Sequence, residues 1–272
     1  MHYTILEFIL LNGDQKAEIN QLVYNCLIQA EERWAQSGHI LTKGLERFDE
    51  SFDSSLPRAE VVPSKIPGHE FVDSHDHKTE QLIAIVADMR DSSKHLTESI
   101  SNRSGITLNQ RVFYETSALL PALERTINFE KGGVTEYLGD GLLGFFRVSS
   151  DKKKSISSAC KAAQDCVGDS LEIVNNQLKI RYDLPPISIG VGMDMGFCMI
   201  TTLGIPGSLH PKAFGRCVYN ATKLSDEYNE VKITDYLRDS WPSTKGGTIG
   251  FRKRTGRNGV PGNILVNQPS ST

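Results

Sequence analysis

GVTEYLGDGLLGFF, residues 133 to 146, reads as two short apolar strands, Val134–Leu138 and Leu142–Phe146, joined by Gly139-Asp140-Gly141. Asp and Gly accept the left-handed backbone that a tight hairpin needs, so the spacing predicts a hairpin with Asp140 at its tip. Upstream, the run Leu82-Ile83-Ala84-Ile85-Val86-Ala87 ends at Asp88 and is followed by Met89-Arg90-Asp91-Ser92-Ser93. So continuous an apolar run suits a strand buried on both faces, with Asp88 emerging at its end. Two carboxylates on two stiff strand ends make a donor set for hard divalent cations. Taken singly, each has a plainer reading: Asp-Gly makes a turn, and Asp88 caps the helix that follows.

Around this pair the chain alternates helix and strand signals. Residues 14–36 carry Ile19, Leu22, Val23, Cys26, Leu27 and Ala30 on one face. With Asp14 as cap they predict an amphipathic helix, its stripe buried on the core or on a second copy of the chain. From Gly38 to Lys78 the sequence is polar and irregular, with Pro57, Pro63 and Pro67, and reads as a connector over the surface. Its His69, Glu70, His75 and His77 lack the regular spacing of a metal site and suit a solvated loop. Leu108, Val112, Leu119, Leu123 and Ile127 recur at helical intervals across Pro121, as in a kinked helix or a helix pair. After the hairpin, Asp151 caps a helix with the stripe Ile156, Cys160, Ala163, Val167, Leu171, Val174 and Leu178, ended by Pro185-Pro186. Strands follow at Ile187–Gly192 and Phe197–Leu203, a short helix at Cys217–Tyr228, and strands at Val231–Thr234, Thr248–Lys253 and Asn263–Val266. Strand, helix, hairpin, helix, strand is the order of a ferredoxin-like βαββαβ core, an α+β arrangement within the broad α/β class.

At 272 residues the chain can bury a full core. A net charge of −3 gives no basis for nucleic-acid or membrane-surface binding. No apolar run reaches the length of a membrane span, and the start, MHYTILEFILLNGDQ, lacks the basic flank and cleavage site of a signal peptide. Cys26, Cys160, Cys166, Cys198 and Cys217 show no paired metal spacing and read as reduced thiols of a cytoplasmic protein.

Four segments in order along the chain carry more: Asp88-Met89-Arg90-Asp91-Ser92-Ser93, Glu136-Tyr137-Leu138-Gly139-Asp140-Gly141, Val191-Gly192-Met193-Asp194-Met195-Gly196, and Gly215-Arg216-Cys217-Val218-Tyr219-Asn220-Ala221-Thr222-Lys223-Leu224. They resemble D-I-R-G-F-T, K/E-x-x-G-D-G, I-G-I-x-x-G and G-x-x-V-N-x-A-x-R-L, the motifs of class III nucleotidyl cyclases, the adenylate and guanylate cyclase catalytic domains. The resemblance implies a catalytic domain over residues 80–269, with residues 1–79 as an N-terminal helical extension and connector. The Gly-Gly-Asp/Glu-Glu-Phe turn of diguanylate cyclases, which share the core fold, is absent from Leu138-Gly139-Asp140-Gly141-Leu142.

The reaction that the resemblance implies is intramolecular: the ribose 3′-hydroxyl of a nucleoside triphosphate attacks its own α-phosphate, giving a 3′,5′-cyclic nucleotide and pyrophosphate. By the resemblance, Asp88 and Asp140, with the Met89 carbonyl, hold two Mg²⁺ or Mn²⁺ ions, one activating the nucleophile and one gripping the triphosphate. Amides from Arg90 to Ser93 take the β- and γ-phosphates, since a helix start favours anions. Asp91 stands where the family has glycine and Ser92 where it has an aromatic; the Asp91 carboxylate must turn away from the triphosphate or reach a metal. Tyr219 replaces the asparagine that orients the ribose, with Asn220 as a second candidate for that contact, and Lys223 replaces the arginine that stabilises the transition state. Each keeps a polar function, although lysine lacks the bidentate fork.

The hairpin position of the adenylate cyclase lysine is Glu136, and the paired aspartate position is Lys212. A carboxylate accepts and an ammonium donates, so the two suit the keto-imino edge shared by guanine and uracil and reject adenine and cytosine. Tyrosine and lysine at 219 and 223 resemble the pyrimidine cyclases of the Pycsar anti-phage systems. That points to UTP and cyclic UMP, a signal for a separate effector protein; a guanylate cyclase making cyclic GMP and an inactive nucleotide sensor are the alternatives. Sites in the family form between two catalytic domains, and this chain holds both halves, which implies a homodimer with two equivalent sites. Arg252-Lys253-Arg254 offers a phosphate contact or a solvated strand face.

Overall fold

The computed structural model describes residues 11–41, 61–98, 105–242, 249–256 and 259–267. In chain order the elements are α1 (Gly13–Leu41), β1 (Val61–Ile66), β2 (His69–Asp73), β3 (Lys78–Met89), α2 (Ser92–His95), α3 (Leu108–Phe129), β4 (Gly133–Tyr137) and β5 (Gly141–Arg147). There follow α4 (Lys152–Asp165), α5 (Leu171–Tyr182), β6 (Ile189–Ile205), β7 (Ser208–Phe214), α6 (Arg216–Leu224), β8 (Glu230–Ile233), α7 (Asp235–Asp239), β9 (Ile249–Thr255) and β10 (Pro261–Asn267).

The apolar run ending at Asp88 forms the middle of the sheet. Strands lie in the order β4-β5-β3-β6-β8-β10-β9, with β7 paired to β6. β3 is antiparallel to β5 and β6, and the β6–β8 pair is parallel. The four strands β4-β5-β3-β6 with α3, α4 and α5 as crossovers reproduce the ferredoxin-like order expected from the sequence. On one face Ile83, Ile85 and Ala87 join the core built with α1, α3, α4 and α5; on the other Leu82, Ala84 and Val86 pack with Phe145, Cys198, Cys217 and Ala221. Burial on both faces is why this stretch does not alternate, and each fully buried Leu or Ile contributes about 1.5–3 kcal/mol. Among the described residues no helix is long and apolar enough to cross a membrane.

The stripe of α1 is buried on its own chain: Ile19, Val23, Leu27 and Ala30 are sealed in the core, with α3 and α5 against the helix. Its cap is Asn12 and not Asp14, because Asn12 and Gln15 exchange side-chain and amide hydrogen bonds at 2.9 and 3.0 Å. α3 runs as a single helix through Pro121 and opens with a capping box of Thr107 and Gln110. α4 and α5 are joined by a π-helical turn, Cys166–Ser170, in which Gly168 leaves helical geometry. The wide turn shifts the stripe, so Cys166 takes the fully buried place expected of Val167.

Three expectations are corrected. Within the supposed connector, residues 61–73 form the β1–β2 hairpin, whose Ile66 and Val72 cover the second face of the sheet; residues 42–60 lie outside those described. The two strands expected at 187–192 and 197–203 are one, β6, and the partner that turns back along it is β7. Gly192, the expected end of the first strand, is instead a seat for α6: a Cβ there would sit 2.0 Å from the Ala221 carbonyl oxygen. In the anchor hairpin Gly139 alone has a positive φ, of 76°. Asp140 reaches the tip without left-handed strain.

Candidate active site

β3 delivers Asp88 as its last but one residue, opposite Gly141 on β5 and Gly190 on β6. Met89 is buried beside it, and its amide donates to the Asp140 carbonyl at 3.3 Å, which ties the strand end to the hairpin tip. A Cβ at Gly141 would lie 3.1 Å from Asp88 Oδ1, so the glycine keeps space open at that oxygen. The plainer reading of Asp88 as a cap does not hold, because the residue preceding α2 is Asp91 and it makes no side-chain cap bond.

A cation already stands at these carboxylates. The Arg90 guanidinium pairs with Asp88, and its Nε donates to the Asp88 carbonyl at 3.3 Å. Burial lowers the Arg90 pKa from its ordinary value, while Tyr228, Asp140, Asp226 and Asp91 around it act in the opposite sense. Among the described residues no three His, Cys, Asp or Glu side chains assemble as a metal cage. Two carboxylates and a backbone oxygen nevertheless fit Mg²⁺ or Mn²⁺, which take few protein ligands and complete their shell with water and substrate phosphates.

The phosphate loop differs in part from expectation. The Arg90 amide, counted among the phosphate donors, is spent on the Ser188 carbonyl at 2.8 Å. Asp91 holds φ 57° and ψ 23°, the left-handed conformation that glycine adopts without cost. Its carboxylate accepts from the Tyr228 hydroxyl at 2.7 Å and pairs with Lys94 at 3.0 Å. α2 is only four residues long, so its dipole adds little. Ser92 and Ser93 line a cavity of about 600 Å³ together with Gly139, Asp140, Trp34 and Phe113. Trp34 belongs to α1, and no local pattern in the sequence connects it to the hairpin tip.

Glu136 and Lys212 meet: Lys212 Nζ lies 2.7 Å from Glu136 Oε2, with each side chain about a third exposed. A bulge between Val134 and Glu136 on β4, and the pairing of Lys212 with Thr201 on the β6–β7 arm, bring the two strands' side chains together. On α6 the Lys223 ammonium lies 5.7 Å from the centre of the Tyr219 ring, and Tyr219 is 59% exposed. Asn220 is engaged within the chain: its amide donates to the buried carboxylate of Asp194 at 2.8 Å, whose other oxygen accepts from Thr234. Arg252 pairs with Glu230 and Arg254 with Glu227, so two members of the basic stretch brace the sheet. His69 is likewise structural, bonded to Glu80 at 2.5 Å. All five cysteines are free, with Cys198 of β6 and Cys217 of α6 in sulfur contact at 3.3 Å.

The chain matches no family model and no curated protein. Solved structures do resemble it. The adenylyl cyclase CyaB from P. aeruginosa aligns with a TM-score of 0.59 at 16% identity, over 72% of this chain and 99% of that one. The guanylyl cyclase Cya2 aligns at 0.55 and 15%, over 71% and 96%. The guanylate cyclase domain of RhGC from Catenaria anguillulae, solved with GTP, aligns at 0.50 and 15%, over 71% and 100%. The likeness establishes the fold as that of the class III cyclase domains.

Proposed function

We propose that this chain is a nucleotidyl cyclase that converts a ribonucleoside triphosphate, UTP by preference, to the 3′,5′-cyclic nucleotide and pyrophosphate. The observation that carries the reading is the convergence of Asp88 and Asp140 on adjacent strand tips, with a guanidinium drawn to them. Divalent ions bound there would supply the positive charge that acidifies the 3′-hydroxyl and neutralises the α-phosphate. The chain's own part is positional: Ser92 and Ser93 bound the phosphate end of the cavity, and Lys223 presents a point charge from α6 toward the developing negative charge. Tyr219, stacked beneath that ammonium, offers its hydroxyl to the ribose.

Base selection rests on Glu136 and Lys212, which already satisfy one another. A keto-imino edge inserted between them gives the carboxylate an N–H and the ammonium a carbonyl; an adenine or cytosine edge gives each the wrong partner. Guanine shares that edge, so GTP is the second reading.

The two halves of the site meet across a homodimer in this reading. Phe197, Met199, Leu203, Ile205, Phe214 and Tyr219 are exposed large apolar side chains along the β6–β7 arm and α6, a patch that a second copy would cover. The cyclic product then leaves as a signal for a separate effector, in the manner of anti-phage pyrimidine cyclases. Chromatography of products from a mixture of the four ribonucleoside triphosphates with Mn²⁺ tests the whole: cyclic UMP with pyrophosphate is expected. No cyclic nucleotide from any of them would overturn it.

A further inference from the structure

We infer that Tyr228 is a positioning residue for the phosphate loop, its hydroxyl holding the Asp91 carboxylate out of the triphosphate's path. The inference rests on the nucleotide-binding reading above.

Asp91 poses a problem that glycine at this position would not. It directly precedes Ser92 and Ser93, which line the cavity beside Asp140 and in the proposed reading take the phosphates, and its left-handed backbone has φ 57°. A carboxylate there faces a highly charged anion at short range, where repulsion amounts to kcal/mol even with partial solvent screening. Lys94 and Tyr228 are among the groups that restrain it. Lys94 Nζ pairs with Oδ1 at 3.0 Å, but that side chain is 57% exposed and lies only three residues on, in α2. Such a pair is screened and worth little alone. The Tyr228 hydroxyl donates to Oδ2 at 2.7 Å from a different part of the chain.

What makes Tyr228 effective is the rigidity of its base. It belongs to residues 225–229, the link between α6 and β8. That link lies directly on Gly190, the residue opposite Asp88: a Cβ there would meet the Ser225 carbonyl at 2.3 Å and the Glu227 carbonyl at 2.5 Å. Asn229 is bonded twice to Ile189, by its amide at 2.6 Å and its side chain at 3.0 Å. Glu227 and Asp226 are fastened from below by Lys232, which is wholly buried and lies 2.9 Å from Glu227. Tyr228 itself is 41% exposed, and its hydroxyl is the atom that reaches Asp91. The phenol is presented to Asp91 from a support pinned to the same strand pair that carries Asp88.

A double-mutant cycle on the full-length protein tests this, with calorimetric titration of inorganic tripolyphosphate in Mg²⁺ as the readout. Tyr228→Phe removes the hydroxyl and keeps the ring; Asp91→Gly removes the charge that it holds. In the natural background, Tyr228→Phe weakens tripolyphosphate binding about fivefold to tenfold, the size expected for losing one partly screened hydrogen bond to a charge. In the Asp91→Gly background the same substitution changes affinity less than about twofold, because nothing remains to be held. An unchanged affinity in the first case, an equal loss in both, or no tripolyphosphate binding by the natural protein overturns the inference. An intact cycle in a protein that yields no cyclic nucleotide would sink the cyclase reading and leave the role of Tyr228 standing.

Discussion

Asp88 on β3 stands directly opposite Gly141 on β5, one residue beyond Asp140, so the two residues occupy neighbouring positions at one end of the sheet. If they jointly position the charge that activates the 3′-hydroxyl, neither can substitute for the other. Asp88→Ala and Asp140→Ala are each expected to lower pyrophosphate release by at least about a hundredfold while unfolding stays cooperative. Turnover retained by either variant would remove that residue from the metal set.

The Glu136–Lys212 pair makes a second prediction, about selectivity. Glu136→Lys combined with Lys212→Asp keeps an ion pair between β4 and β7 but inverts its donors and acceptors. The ratio of kcat/KM for UTP over ATP is expected to fall by about tenfold or more, since a mismatched buried edge costs over a kcal/mol. A ratio that does not move would mean that these side chains do not touch the base.

What could be read in the sequence, and what could not, divides along a physical line. The run 82–87 and the Gly139-Asp140-Gly141 turn were legible because burial on both faces and hairpin geometry each leave a local mark. The same holds for Asp151, whose carboxylate caps α4 by accepting from the Lys154 amide. The partner of Asn220 was not legible, because a motif shows identity and not the Asp194 carboxylate 26 positions earlier that accepts from its amide. Tyr228 and Trp34 left no mark at all: their roles depend on what a distant segment brings to them, on Asp91 for one and Phe113 for the other.

Gly192 was taken for a strand boundary, and the reason it was not one gives a third prediction. α6 rests on it so closely that Gly192→Ala must lift the helix, with clashes at the Ala221 carbonyl, the Ser225 amide and Leu224. Overpacking of this kind costs about 1–3 kcal/mol of stability. Because α6 carries Tyr219 and Lys223 but not Asp88, kcat is expected to fall while Mn²⁺ affinity, read by paramagnetic resonance, stays near the natural value. A matched loss of both would mean that the helix and the metal end move as one.

The extension at the start of the chain is part of the core, which a single truncation checks. Leu27 has no exposed surface and packs among α1, α3 and their neighbours. Leu27→Ala is expected to cost about 2–5 kcal/mol in chemical denaturation, the range for a cavity in a close-packed interior. A loss under about 1 kcal/mol would place α1 outside the cooperative unit.

The β1–β2 hairpin should loosen in acid, and the sign follows from Glu80. β1 packs against both β4 and β7, the strands of Glu136 and Lys212, and the hairpin is tied down where Glu80 receives His69 at 2.5 Å and Arg147 at 2.7 Å. Burial alone would raise the Glu80 carboxyl, but the hydrogen bonds and charges of His69 and Arg147 outweigh it and hold the pKa below its ordinary value. A folded pKa below the unfolded one, about 4.3, means that the stabilisation is complete above that pH and is lost as pH falls through the folded value. The stability difference between the natural protein and Glu80→Gln is therefore expected to be full at pH 7 and to shrink in increasingly acidic buffer. A difference that stays constant into strong acid would assign the tie to packing and neutral hydrogen bonds, with no part for the carboxylate's charge.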